Sequence, residues 1–292
     1  MLEGEAVGLL GLVAGQDVEL VSDPEDPDGP STWRIARRVA PDRVISTVDP
    51  EARHAHKTTS RRQDGFKAHV VVEPDTGIVT ACAVTKASGE GSGDAAAGVG
   101  LLAADVTIAD GQQVEVLGDC AYGTGEMLAA LDGAGHLPVV KPWPVNPAVP
   151  GGFTIDDFHV DSRAGTVTCP AGQTRPINST RQVVFGAACR ACPLRERCTR
   201  SRTGKSLRLG EHDALARAHR ARAADPDWQA TYRRHRPMVE RSLAWLTRDN
   251  RRLRYRGITK NDAWLQLRAG AVNLRRLLTL GLQRTAGAWA LA

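Results

Sequence analysis

The sequence predicts an α/β fold: a mixed sheet flanked by helices, with a small cysteine-rich insertion before a helical C-terminal part. Three observations lead there. Runs rich in β-branched residues, such as 44–48 and 114–118, alternate with helical segments. The stretches G-F-K-A-H-V-V-V-E and G-I-V-T-A-C-A-V-T flank the turn P-D-T-G and read as a hairpin. Four of the six cysteines fall among turn formers within residues 151–210.

Taken in order, Leu9, Leu10, Leu12, Val13 and Val18 mark a short amphipathic helix over residues 1–20. The acidic, Pro-rich D-P-E-D-P-D-G-P that follows cannot be a helix interior or a central strand. Residues 1–32 are therefore an N-terminal helix and linker. Residues 33–150 hold the first part of the sheet domain: strands at Trp33–Val39 and Val44–Val48, the hairpin, a Gly/Ser loop over 88–94, and a helix over 95–104. A strand at Val114–Gly118, a helix at Gly125–Gly133 and a short strand at Val139–Val140 complete it. Residues 151–210 form the cysteine-rich subdomain, and 211–292 a basic helical part with long helices over Pro226–Asp249 and Asn261–Leu282.

With 292 residues, 42% of them hydrophobic, the chain can bury a core. No uncharged apolar run approaches the length of a membrane span and no signal peptide is recognisable, so a cytoplasmic protein without a membrane partner is expected. The formal charge of +5 conceals a polarity: residues 195–292 carry 23 Lys+Arg against 8 Asp+Glu, a local +15, which leaves −10 for the rest. Arginine dominates that excess, and its guanidinium fork pairs bidentately with phosphate. Nucleic-acid binding is the favoured reading; well-solvated helix faces are the alternative.

Three acids stand out. Asp49 in V-I-S-T-V-D-P-E-A-R-H follows an apolar run, although D-P-E also suits a helix N-terminus. Asp119 in V-E-V-L-G-D-C-A-Y-G closes a strand, where ligands collect in open α/β sheets, although a turn Asp would look the same. Glu240 lies on the Arg-rich helix beside its apolar stripe, four residues from Arg236, with which it can form an ordinary surface pair. Together they suggest a carboxylate triad for metal-dependent phosphoryl transfer on nucleic acid.

In this order, S-T-V-D-P-E-A-R-H, L-G-D-C-A-Y-G, C-R-A-C-P-L-R-E-R-C-T and R-P-M-V-E-R-S-L-A-W-L resemble the catalytic region of bacterial insertion-sequence transposases of the DDE class, over about residues 2–282. The resemblance implies an RNase H-like fold and two divalent ions, Mg²⁺ or Mn²⁺, held by Asp49, Asp119 and Glu240. It implies strand cleavage and strand transfer on transposon ends and target DNA, within a homo-oligomeric synaptic complex. It also matches Tyr232, Arg236 and Arg248 to the family's conserved Tyr, Arg and basic residue near the Glu. Tyr232 stands four residues before Arg236 where the family spacing is three, and Lys is common at the position of Arg248. Arg241, Arg251, Arg252 and Lys141 complete the expected DNA contacts. The family carries a helical end-binding domain ahead of the segment matching L-L-G-L-V-A-G-Q-D-V-E, so a shortened catalytic region is expected here. An inactive DNA-binding remnant or inhibitor and an RNase H-like nuclease are the alternatives.

Cys169, Cys189, Cys192 and Cys198 could supply four thiolates to a structural Zn²⁺, although the gaps after Cys169 and before Cys198 fit no common zinc-finger spacing. Free cysteines are the other reading. Cys82 and Cys120 read as packing residues, His54 and His56 as surface residues, and Trp143 as structural.

Overall fold

Alternation of apolar and polar residues through the predicted hairpin produces an antiparallel pair in a computed structural model that describes residues 3–22, 29–40, 42–56, 62–248 and 252–291. The chain divides into two compact units, residues 1–110 with 234–292, and residues 111–233. The first boundary falls inside the expected 33–150 segment.

The first unit begins with helix α1 (Glu3–Gly15); of the predicted apolar stripe Leu9 and Val13 are half-buried, Leu10 and Leu12 are exposed, and Val18 lies in the following strand. Strands β1 (Val18–Val21) and β2 (Thr32–Ile35) pair antiparallel. Residues 44–48 are not the expected strand. Val44 is buried, but the side-chain amide of Gln16 takes the place of a neighbouring strand: its Nε2 donates to the Val44 carbonyl (2.8 Å) and its Oε1 accepts the Val44 N–H (3.0 Å). The meander β3 (Arg53–His56), β4 (Arg62–Val72) and β5 (Val79–Lys86) follows, antiparallel throughout, and leads into α2 (Asp94–Ala103).

In the second unit, β6 (Glu115–Gly118), α3 (Gly125–Gly133) and β7 (Leu137–Val140) make a right-sized β-α-β step, with β6 and β7 parallel. Thr124 caps α3 by accepting the Met127 N–H, and α3 buries Met127, Leu128 and Leu131. The cysteine-rich region is built from three-residue strands: β8 (His159–Asp161), β9 (Thr166–Thr168) and β10 (Thr174–Pro176) in one sheet, β11 (Gln182–Val184) and β12 (Ser206–Arg208) in another. The short α4 (Arg195–Cys198) lies between β11 and β12 in sequence. Phe158, Val167, Val183, Phe185, Leu207 and Leu209 form a core around which Cys169, Cys189 and Cys198 pack. Helix α5 (Asp213–Ala223), absent from the sequence expectation, is tied in by basic side chains. Arg220 grips Asp156 with two bonds, Arg217 pairs with Asp213 and donates to the Phe158 carbonyl, and His219 bonds the Val140 carbonyl (2.6 Å). Part of the C-terminal positive charge is thus internal scaffolding.

Helix α6 (Pro226–Thr247) contains Pro237, which offers no N–H to the carbonyl of Arg233. Its later turns and α7 (Ile258–Thr279) return to the first unit, where Leu246, Leu265 and Ala269 pack on Val79, Cys82 and Val84. Burial pushes the Cys82 thiol up to about 11, consistent with its expected packing role. Among the described residues hydrogen bonding pairs β5 with β4 alone, and α7 covers its other edge with polar side chains. Asp262 accepts the Val84 N–H, Gln266 donates to the Cys82 carbonyl, and Asn273 bonds both backbone groups of Val79. Positions 262, 266 and 273 share one helix face, so a helix can follow a strand edge in this way. The hairpin β13 (Leu282–Thr285) and β14 (Ala288–Leu291) closes the described chain.

Candidate functional site

Asp49 sits in a half-buried turn, not at the start of a helix of its own. Its two carboxylate oxygens each lie 3.3 Å from the N–H of Gly257, the residue that precedes α7, and Glu51 Oε2 accepts the N–H of Ile258 (2.9 Å). The helix-capping reading of D-P-E therefore has substance, but the helix capped lies some two hundred residues away in sequence. Gly257 has φ +80°, and a Cβ there would stand 2.8 Å from Glu51 Oε2, so this close approach suits glycine.

The turn is also clamped from within. The buried guanidinium of Arg53 donates to the carbonyls of Pro50 (2.6 Å) and Ala52 (2.9 Å) and, through Nε and Nη2, to both oxygens of Asp42. Lys86 adds a third bond to Asp42 (3.0 Å). Hydrogen bonds from Arg53 and then Lys86 hold the Asp42 carboxyl down to about 2. Neither Asp42 nor Arg53 carries a sequence signal, since their pairing requires the fold.

Asp119 follows β6 at its C-terminal end, half-buried. One oxygen accepts the Ala121 N–H (2.9 Å), capping the Cys120–Tyr122 turn. Gly123 lets this turn approach β7: a Cβ there would stand 2.8 Å from the Lys141 carbonyl. Lys141 itself is exposed, and its N–H extends the β6–β7 ladder by bonding the Gly118 carbonyl. Trp143 is 55% exposed and so is not the packed residue expected.

Glu240, on α6, has a side chain 64% exposed, and Arg236 donates to its Oε1 through Nε (3.1 Å) and Nη2 (2.9 Å). This is the i,i+4 pair anticipated from the sequence. Tyr232 stacks on Trp228 at 5.5 Å, and Trp228 meets the buried His219 edge-on. Arg241, Arg248 and Arg252 are exposed, while Arg251 lies outside the described residues. His54 bonds Asp64 at the surface, and the His56 side chain also lies outside the description.

Asp49 and Glu240 belong to the first unit and Asp119 to the second. In the second unit Cys169, Cys189, Cys192 and Cys198 line one cavity with Phe153, Phe158 and Lys205, and the Lys205 N–H donates to the sulfur of Cys189 (3.4 Å). Burial, with smaller contributions from the other three cysteines, raises the Cys198 thiol. Among the described residues no three His, Cys, Asp or Glu side chains stand together as a metal-ligand group, and no helix is long and apolar enough to cross a membrane.

Neither a curated protein nor a solved structure matches the chain. Residues 168–278 match a family model described as transposase DDE domain, a span that holds the four cysteines, Tyr232, Arg236 and Glu240 and lies beyond Asp49 and Asp119. The match spans well under half of the chain; it supports a relationship to DDE transposases of the insertion-sequence type, and the mixed α/β architecture agrees with it.

Proposed function

We propose that the chain is a DDE transposase catalytic domain that cleaves DNA strands and joins them to target DNA during movement of an insertion sequence. The observation that carries this is the family match across Glu240. It is supported by the placement of Asp119 at the end of a parallel strand, where α/β proteins present catalytic side chains. The succession of the β3–β4–β5 meander, α2, β6, α3 and β7 suits an RNase H-like layout, with the cysteine-rich region inserted before α6.

In this reading Asp49, Asp119 and Glu240 hold two divalent ions, Mg²⁺ or Mn²⁺. Carboxylate oxygens are hard donors suited to both. The bound ions would supply an activated water and charge stabilisation for in-line displacement at phosphorus. The protein's part is to fix the donors. The Gly257 N–H and the Arg53 clamp orient the Asp49 turn, the Ala121 N–H orients Asp119, and the Arg236 fork orients Glu240. Arg241, Arg248, Arg251, Arg252, Lys141 and Tyr232 contact transposon ends and target DNA, in a homo-oligomeric complex acting in the cytoplasm.

Asp119→Asn tests the assignment. Asparagine keeps an oxygen for the Ala121 N–H, so the turn and DNA binding persist while nicking of a labelled transposon-end duplex in Mg²⁺ is lost. Equal nicking by variant and parent would refute it. Strand transfer with precleaved ends separates a transposase from a nuclease.

A structural Zn²⁺ is a second cofactor reading, favoured by four thiols lining one cavity in a region of three-residue strands. The thiols would have to draw together and release protons on binding. Elemental analysis giving less than half an equivalent of zinc excludes it.

A further inference from the structure

Between α6 and α7, residues 252–257 read R-L-R-Y-R-G, with Arg252, Arg254 and Arg256 exposed and Tyr255 48% exposed between them. Such a loop would ordinarily be loose. Here it is pinned from inside by Asn261, whose fully buried amide donates to the carbonyls of Tyr255 (2.8 Å) and Gly257 (2.8 Å) and accepts the Tyr255 N–H (3.3 Å). Its last residue, Gly257, presents its N–H to Asp49. The backbone is thus held at Tyr255 and Gly257, with Arg256 between these two points and Arg252 and Arg254 leading into them, beside one of the proposed catalytic carboxylates.

This juxtaposition has an electrostatic logic. Asp49 and Glu51 are anionic and repel a phosphodiester that approaches them, whereas a row of guanidinium groups beside them attracts it. A tyrosine ring between arginines adds a face on which an unpaired base can stack, and that contact is tolerant of base identity. Because the backbone at Tyr255 and Gly257 is already held, less conformational entropy is lost there on binding.

We propose that Arg252, Arg254 and Arg256 bind the phosphates of the DNA strand running up to Asp49, while Tyr255 stacks on a base unpaired near the cleavage point. The proposal rests on the DNA reading above and deepens it by naming the element that holds the strand.

The test is fluorescence anisotropy of the full chain with two labelled oligonucleotides, a blunt duplex and one with a frayed, unpaired end, across a salt series without divalent metal. Replacing the three arginines by glutamine is expected to lower the slope of log affinity against log salt by about 2 to 3, and Arg254→Gln alone by about 1. Lysine at all three positions is expected to restore the slope. Tyr255→Ala is expected to cost about 5- to 150-fold in affinity for the frayed end and to leave the blunt duplex nearly unchanged. Circular dichroism confirms folding of each variant, and the single-site variant decides the matter if the triple variant does not fold. A parent that binds neither DNA overturns the loop together with the reading beneath it. A parent that binds, with slopes unchanged in folded glutamine variants, overturns the loop alone. Equal loss on both DNAs for Tyr255→Ala overturns the stacking role.

Discussion

The side-chain amide of Asn273 bonds both backbone groups of Val79, accepting its N–H at 2.8 Å and donating to its carbonyl at 2.7 Å, as a neighbouring strand would. Removing that amide leaves a donor and an acceptor unmatched at a part-buried strand edge. Asn273→Ala is expected to destabilise the protein by about 1–3 kcal/mol in urea titration. Asn273→Asp, which keeps the acceptor and loses the donor, should fall between parent and alanine. No change in midpoint for the alanine variant would mean that water satisfies the edge equally well.

The Asp42–Arg53 clamp makes a pH-dependent prediction. Asp42 is depressed to about 2 by its bonds from Arg53 and Lys86, so its stabilising contribution is present above the ordinary carboxylate value and is lost as pH falls through the folded value. Asp42→Ala should lower stability near pH 7 by about 0.5–1.5 kcal/mol, because solvent screens the exposed Asp42 end of its bonds to Arg53 and Lys86. The gap between parent and variant should narrow as pH falls from about 4 towards 2. A gap independent of pH would show that the carboxylate charge is irrelevant to the clamp. Because Arg53 also holds the carbonyls on either side of Glu51, the same variant should weaken Mg²⁺ dependence of nicking more than it weakens DNA binding.

His219 acts in the opposite part of the pH scale. Burial lowers its pKa below the ordinary 6.5, opposed in part by its bond to the Val140 carbonyl. Below about 6.5 the unfolded chain binds a proton that the folded imidazole refuses, so stability falls as pH drops below that value and is flat above it. Burial lowers His69 in the same direction. His219→Gln should therefore flatten, without abolishing, the decline in urea midpoint between pH 7 and 5. An unchanged slope would remove His219 from the account.

The local parts of this fold were legible in the sequence. Helix α3 occupies the predicted Gly125–Gly133, and the hairpin around P-D-T-G forms, because alternation, capping and turn chemistry act over a few residues. The Arg236–Glu240 pair follows from helix geometry alone. Val44–Val48 was misread because a buried valine signals burial and not the partner of its backbone, which here is the amide of Gln16. Helix α5 was missed because its inward face is built from Arg217, His219 and Arg220, whose partners are the Phe158 and Val140 carbonyls and the surface carboxylate of Asp156, distant in sequence.

The candidate site was legible as residue types, not as a setting. Asp49, Asp119 and Glu240 could be named from motifs. Their orienting groups could not: Gly257 is 208 residues from Asp49, and Asn261 is an unremarkable helix residue until its burial is known. The four cysteines grouped from the sequence do line one cavity, although their spacing fits no common zinc-finger pattern.

The covering of β5 by α7 carries a consequence for synthesis. Val79 and Asn273 are separated by 194 positions, so the ribosome must add nearly two hundred amino acids between making the strand and making its cover. At translation rates of about 5–20 residues per second, that interval is on the order of ten to forty seconds. Throughout it the nascent chain presents a bare rank of peptide groups to any passing polypeptide, and chaperone shielding during that window should govern how much protein is recovered in soluble form.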